Sequence, residues 1–401
     1  MDLTITDDDL RQRAAEVLES DELLTSPEEL FFDPAVPLRE PPPLPNNLPT
    51  FLNLFGVVPA PYADRMTEAY VQMSYFAANW WPAIGGLVYA QPFFEWLMHA
   101  DLFHPYYRDH IVHQVRVAAI GDLLLAQELT GRTLLTHMAQ ALTEDLAPVT
   151  SDPEGFLRRA WWFTALLHDC GYPYEHHAKG FNRLSGIYRA PISDPTSANW
   201  HACQECLTGR VGALNTGDLR HCRQARHSFI GAAELSCQEH EYVQKHAPKE
   251  DEEYRKRRGL LFALATRAIL VHHAPPEGVA AAPVSFNANP LGYLLVLSDE
   301  LHEMNRPLGR ASVDADGRPQ TVITYEPSPV TSADLSVPED SNPPALEVQF
   351  TADPEAEEIS GRSPEAWVED KQGKLTPYLK CGDGELFGEI RVLPVHQDEV
   401  A

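Results

Sequence analysis

Trp161-Trp162-Phe163-Thr164-Ala165-Leu166-Leu167-His168-Asp169-Cys170-Gly171-Tyr172-Pro173 is the stretch from which the rest of the chain can be read. Its first seven residues are almost all apolar, which suits a helix buried on most sides. Gly171 and Pro173 then stop it, as C-terminal helix signals do. His168 and Asp169 therefore fall at a helix C-terminus, where the backbone dipole favours a cation. Imidazole and carboxylate together are the mixed N/O donor set that first-row divalent metals accept. The bland alternative is a helix-end pair making ordinary hydrogen bonds.

Recurrence of the pattern weighs against that alternative. Leu264-Ala265-Thr266-Arg267-Ala268-Ile269-Leu270-Val271-His272-His273 is a second apolar helix ending in imidazoles, closed by Pro275-Pro276. Leu294-Leu295-Val296-Leu297-Ser298-Asp299 puts a carboxylate inside a buried-looking helix, which is costly unless the charge is paired or metal-bound. Asp109 and His113 are four residues apart and share a helix face. His110 is the other candidate there, but His113 has the better apolar flank in Val117 and Ile120. Arg226-His227 opens a further helix in which Gly231 and Ala232 permit close packing.

Around these motifs the chain divides by composition. Residues 1–62 read as a lead segment, with a short acidic helix over 8–19 and a proline-dense run from Pro41 to Pro61 that favours extended chain. Residues 63–310 carry helix-period apolar residues over 63–79, 92–102, 109–129, 155–169, 228–247, 254–273 and 291–304, with an irregular insertion over 174–222. Residues 311–401 change character: 321–325, 346–350 and 385–393 read as strands and 365–379 as a helix, ahead of a disordered tail. The expected fold class is mainly α, a helical bundle with a small C-terminal α+β appendage.

Composition limits the function classes. Net charge is -27, from 31 basic and 58 acidic residues, which argues against broad binding to nucleic acid or anionic membrane. A small anionic substrate stays compatible, because arginines or metal ions can reverse the field inside a cleft. The cysteines are sparse, the N-terminus lacks a signal-peptide pattern, and no apolar run reaches a membrane span, so a cytoplasmic protein is expected. Cys203, Cys206, His221 and Cys222 have the spacing of a structural zinc knuckle, against the ordinary reading of core cysteines. No phosphate-binding glycine loop, nucleophile elbow or dinucleotide fingerprint is present.

The set His113, His168-Asp169 and Asp299 resembles the HD-domain superfamily of metal-dependent phosphohydrolases over about residues 100–310. His227 and His272-His273 look like the extended ligand set of its cyclic-dinucleotide phosphodiesterase branch, in which an acidic residue at the place of Asp109 also binds metal. The chain departs from that branch in having Tyr172 after Gly171 and in lacking Gly-Tyr-Pro after the His-His helix. The run from His168 to His176 is also similar to the deoxynucleotide triphosphohydrolase branch. The resemblance implies an HD-like bundle with a divalent metal centre, two ions of Mn, Fe, Ni, Co or Zn, held by His113, His168, Asp169, His227, His272, His273, Asp299 and Asp109. It implies water attack on phosphorus. Arg116, Arg226, Arg267 and Arg306 are the candidates to neutralise phosphate oxygens. Tyr172, Tyr174, His176 and His177 are the candidates to contact substrate or to protonate the leaving oxygen, with Asp169, Arg116, Tyr172 and His176 forming the expected catalytic set. The expected partner is a small phosphorylated substrate, a nucleotide by preference, with homo-oligomerisation left open. The competing readings are a degenerate HD-like binding module and a diiron oxygenase on the same scaffold.

Overall fold

The structure is a computed structural model that describes residues 1–18, 68–69, 71–73, 76, 110–172, 227–228, 231–232, 235, 252–273, 283–304, 306–313, 319–338, 341, 343–353, 358–359 and 361–397. The expected helix 92–102, the proline-dense run, the insertion over 174–222 and the C-terminal tail lie outside these residues. The expected helices 63–79 and 228–247 are described at a few positions only, all helical.

In chain order the elements are β1 (Asp2–Thr6), α1 (Asp7–Leu18), α2 (His110–Leu125), β2 (Glu128–Leu129), β3 (Arg132–Thr133), α3 (Leu134–Ala141), α4 (Thr143–Leu146), α5 (Pro153–Leu167), α6 (Glu252–Val271) and α7 (Pro290–Leu301), followed by β4 (Pro307–Val313), β5 (Pro319–Pro327), β6 (Val330–Ser336), β7 (Ala345–Ala352), α8 (Pro364–Tyr378), β8 (Glu389–Val392) and β9 (His396–Gln397). Helix starts follow ordinary capping chemistry. The side chains of Asp152, Asn289 and Ser363 accept from the backbone N–H three residues on, each with proline in the first turn.

The mainly α expectation is corrected. The described residues are 58% helix and 17% strand, and the strands include a mixed sheet of order β1-β6-β7-β8, with β9 also pairing β7. This sheet is not an appendage of the C-terminal residues. Its edge strand β1 is the N-terminus, antiparallel to β6 with Leu3 opposite Leu335. Asp2-Leu3-Thr4-Ile5-Thr6 does alternate polar and apolar residues, but a strand this short presents few alternations to read and its partner is remote in sequence. The connection from β7 through α8 to the parallel β8 is a crossover whose helix covers the sheet, Trp367 packing edge-on against Phe350 at 4.8 Å. The expected strand 321–325 falls within β5, whose hairpin partner β4 was not expected, nor was the short β2-β3 ladder among the helices.

α2 is the centre of the helical layer. Every residue in it except Leu123 is buried, so it behaves as a helix that is packed on all sides. It contacts α1, α5 and α7, while α6 packs on α5 and α7. α1 lays Leu10, Ala14, Val17 and Leu18 into this core, each large side chain contributing roughly 1.5–3 kcal/mol of burial. The first eighteen residues thus join the sheet and the helical layer at once. Buried charges tie the same elements. Asp122 of α2 accepts from Arg13 Nε of α1 at 2.7 Å, Arg158 Nε of α5 at 2.7 Å and Trp162 Nε1 at 3.0 Å. Arg116 of α2, fully buried, donates from Nε to Asp7 Oδ1 at 2.9 Å. Lys371 of α8 reaches Glu300 Oε2 at 2.8 Å and Glu303 Oε1 at 2.6 Å, both at the end of α7. Burial favours its neutral amine, but those carboxylates outweigh it and raise the pKa above the ordinary lysine value.

The α2–α5 contact depends on a missing side chain. A Cβ at Gly121 would lie 1.9 Å from the Trp161 ring, and Trp161 is itself held by its Nε1–H donating to the Ala118 carbonyl at 2.8 Å. Gly121→Ala gains roughly 1 kcal/mol of helix propensity, yet it should lower stability by a net ~1–3 kcal/mol through overpacking. Urea unfolding of the two proteins measures this, and equal midpoints would contradict it.

Candidate metal centre

Five helical segments and the turns that end them converge on one cluster. α2 supplies His113, the turn after α5 supplies His168 and Asp169, the helical residues around 227–235 supply His227, the end of α6 supplies His272, and α7 supplies Asp299. His168 caps α5 with helical backbone angles, and the chain turns over Asp169-Cys170-Gly171. Gly171 matters here for space. A Cβ at this position would sit 1.9 Å from the His227 carbonyl oxygen, so the turn carrying His168-Asp169 can lie directly against the helix carrying His227 only if the residue is glycine.

Donor atoms converge closely. Ligand atoms of His113, His168 and Asp299 lie within 4.8 Å of one another, and so do those of His168, Asp169 and His272. Asp169 divides its two oxygens between the groups. Oδ1 lies 3.3 Å from His227 Nε2 and 3.8 Å from His272 Nε2, while Oδ2 lies 3.7 Å from His168 Nε2 and 3.9 Å from His113 Nε2. His113 Nε2 is also 2.7 Å from Asp299 Oδ1, and His227 Nε2 is 3.2 Å from His272 Nε2.

Protonation suits the same use. His168 Nδ1 donates to the Ala165 carbonyl at 2.7 Å, and His272 Nδ1 donates to the Ile269 carbonyl at 2.6 Å. A carbonyl only accepts, so the Nδ1 proton is fixed and Nε2 is the inward atom. His168 Nε2 is buried without a hydrogen-bond partner. Burial lowers the His168 pKa to about 4, partly opposed by Asp169 and Asp299, so that nitrogen holds a free lone pair at neutral pH. Burial raises the Asp169 and Asp299 carboxyls, but the facing histidines win and both lie well below the usual carboxylate range. Burial lowers His272 too; there Asp169 and Asp299 outweigh it and the net shift is upward. An unpaired imidazole lone pair beside ionised carboxylates is an unfavourable way to fill a core. These buried His/Asp groups can hold a metal ion, and the donor set fits one by chemistry as well as by distance.

Other expected residues fall as follows. The His273 ring lies 4.8 Å from that of His227, beside the converging groups. Tyr172 stacks on His227 at 4.4 Å and tilts against His110 at 4.0 Å, which puts its ring at the edge of the cluster. Arg306 and Arg116 both bear electrostatically on His302, the residue behind His113. Arg116 is fully buried, and its guanidinium Nε is taken by Asp7. Arg267 lies on α6, where its carbonyl accepts from Asn289 at 3.2 Å. Asp109, His176, Arg226 and the cysteine group Cys203, Cys206, His221 and Cys222 lie outside the described residues. Sequence reasoning missed His302, whose Nδ1 is 2.7 Å from His113 Nδ1. The available signal was its position three residues after Asp299, on the same side of the helix end. Among the described residues, no helix is long and apolar enough to cross a membrane.

No protein-family model matches the chain, and comparisons with curated proteins and with solved structures give no match either.

The protonation states carry a pH signature in metal-free protein. The unfolded chain takes a proton on His168 near pH 6.5 and the folded chain only near pH 4, so stability is lost as pH falls through that window. The loss should be about 3 kcal/mol. His302, also lowered by burial, adds to it, whereas the raised His272 acts above pH 6.5. Urea unfolding in EDTA across pH 4.5 to 6.5 measures the slope, which should flatten in His168→Gln. Equal slopes in both proteins would refute the assignment.

Proposed function

We propose that the chain is a metal-dependent phosphohydrolase that cleaves a nucleotide or another small phosphate ester, built on an HD-like metal centre. The observation that carries this reading is the buried convergence of His113, His168, Asp169, His227, His272 and Asp299, with the partnerless Nε2 of His168 aimed into it. On this reading His168, His113 and Asp299 hold one ion, and His272 and His227 hold a second. Asp169 lies between them with one oxygen toward each group. A divalent ion in such a place supplies Lewis acidity toward a phosphoryl oxygen and lowers the pKa of a water molecule.

The chain's own groups have defined tasks. The Ala165 and Ile269 carbonyls hold the His168 and His272 rings in the orientation and tautomer that present Nε2. Asp169 and Asp299 offset the charge of the ions in a core that excludes water. Tyr172, packed between His110 and His227, is the candidate to contact a substrate or to protonate a leaving oxygen, because it combines a phenol with a place at the rim. Arg306 is the described arginine best suited to an anionic group there, being half-buried and electrostatically felt at His302. The overall acidity of the chain favours a small substrate over a polynucleotide.

Product release measured with Mn²⁺ across cyclic dinucleotides, cyclic mononucleotides, deoxynucleoside triphosphates and phosphomonoesters tests the reading. One class should be turned over, and Asp169→Asn should reduce that turnover by more than about 100-fold. Metal-loaded, folded protein that turns over none of them would replace the hydrolase with a binding module.

A further inference from the structure

His113 is held differently from its neighbours. The inward histidines His168 and His272 each give Nδ1–H to a backbone carbonyl of their own helix, three residues back. A carbonyl cannot donate, so each of those rings has one permitted tautomer. His113 has no such anchor. Its Nδ1 lies 2.7 Å from His302 Nδ1, and its Nε2 lies 2.7 Å from Asp299 Oδ1. Both rings are buried, so the contact between them is shielded from solvent. Two ring nitrogens at this separation share one proton, since two N–H groups would collide and two lone pairs would repel.

We propose that His302 is a positioning residue for His113, accepting the His113 Nδ1 proton and so presenting His113 Nε2 as a bare donor atom to a divalent ion. The inference rests on the metal-centre reading above. In that arrangement His302 keeps its own proton on Nε2, and the Asp299 oxygen now facing His113 Nε2 is released to the ion. An imidazole can also give a proton from Nδ1, so His302 accommodates the ion-free pairing of His113 Nε2–H with Asp299, which a carbonyl could not. The same helix end delivers both partners. Asp299 lies in the last turn of α7, and His302 is the residue directly after it. Binding at the His113 and Asp299 side therefore requires a proton to be placed on His113 Nδ1, whereas His168 and His272 are already in their binding form. Outer partners of this kind typically change metal affinity by about 10–100-fold.

The test uses the full chain labelled with ¹⁵N in the histidine rings, loaded with Zn²⁺, which is diamagnetic. Long-range ¹H–¹⁵N correlation should report His113 protonated at Nδ1 and His302 protonated at Nε2. Zinc affinity, measured against a competing chelator, should fall about 10–100-fold in His302→Leu. It should return to within a few-fold in His302→Asn, whose amide oxygen restores an acceptor near the Nδ1 position. Equal weakening in both variants would reduce His302 to packing and overturn the proposal, as would unchanged affinity in both. A zinc-loaded His302 protonated at Nδ1 would overturn it from wild-type protein alone, whether or not the variants fold. Wild-type protein that binds no zinc would instead sink the metal-centre reading itself.

Discussion

An ionised carboxylate enclosed by helices has to be compensated, and the described helical layer is arranged around that of Asp169. It is faced from several directions by the Nε2 atoms of His113, His168, His227 and His272, not by one strong partner, and the bare nitrogen of His168 leaves that compensation incomplete without a cation. Each of those rings must come from a separate segment, because one helix cannot place side chains on opposite sides of a point. The ends of α5 and α6 therefore meet beside the first turn of α2 and the end of α7. The close approach at Gly171 and the carbonyl anchors of His168 and His272 serve the same end. A core built this way is poorer in stability than an apolar one of equal volume. The same groups can hold a metal ion, which would supply the missing positive charge.

The sheet and the N-terminal helix are joined to this layer by buried ion pairs. Asp7 with Arg116, Asp122 with Arg13 and Arg158, and Lys371 with Glu300 and Glu303 each connect elements distant in sequence. A buried charge pair adds little net free energy, but losing either partner is severe, about 3–5 kcal/mol. Such pairs select one arrangement of elements more than they strengthen it. In a helical layer whose apolar faces would pack acceptably at several offsets, that selection places α1 against α2 and α8 against α7.

Several of the converging His and Asp residues were legible because their chemistry is local: His168-Asp169 and His272-His273 close apolar helices, and Asp299 interrupts one. The ends of α5 and α6 were legible for the same reason, through the glycine and prolines that follow them, whereas α7 stops at Leu301, short of the expected 304. The sheet was legible only in part. Alternation marked the strands β5 and β7, but nothing within Asp2–Thr6 reveals that its partner is Val330–Ser336. The fold class was misjudged on that account. His302 was missed because its role depends on a ring across the packed interface, on α2. Arg116 shows the same limit: its place three residues after His113 was legible, but not the contact of its Nε with Asp7 of α1, more than a hundred residues away.

The last turn of α7 shows how the sheet and the His/Asp cluster share one piece of backbone. Asp299 and His302, spaced i and i+3, both meet His113. Glu300, the next residue on the helix, and Glu303, just beyond its end, both meet Lys371. Lys371 also donates to the Glu300 carbonyl at 2.9 Å, so it grips the backbone as well as the side chains. A helix end held on one side by two carboxylate contacts and a carbonyl contact to α8 cannot rotate to relax the other side. The 2.7 Å contacts of His113 are therefore set jointly by α2 and, through α7, by a helix that belongs to the sheet. Mixed architecture is thus part of how the centre is built, since α8 packs on the strands through Trp367 and on α7 through Lys371.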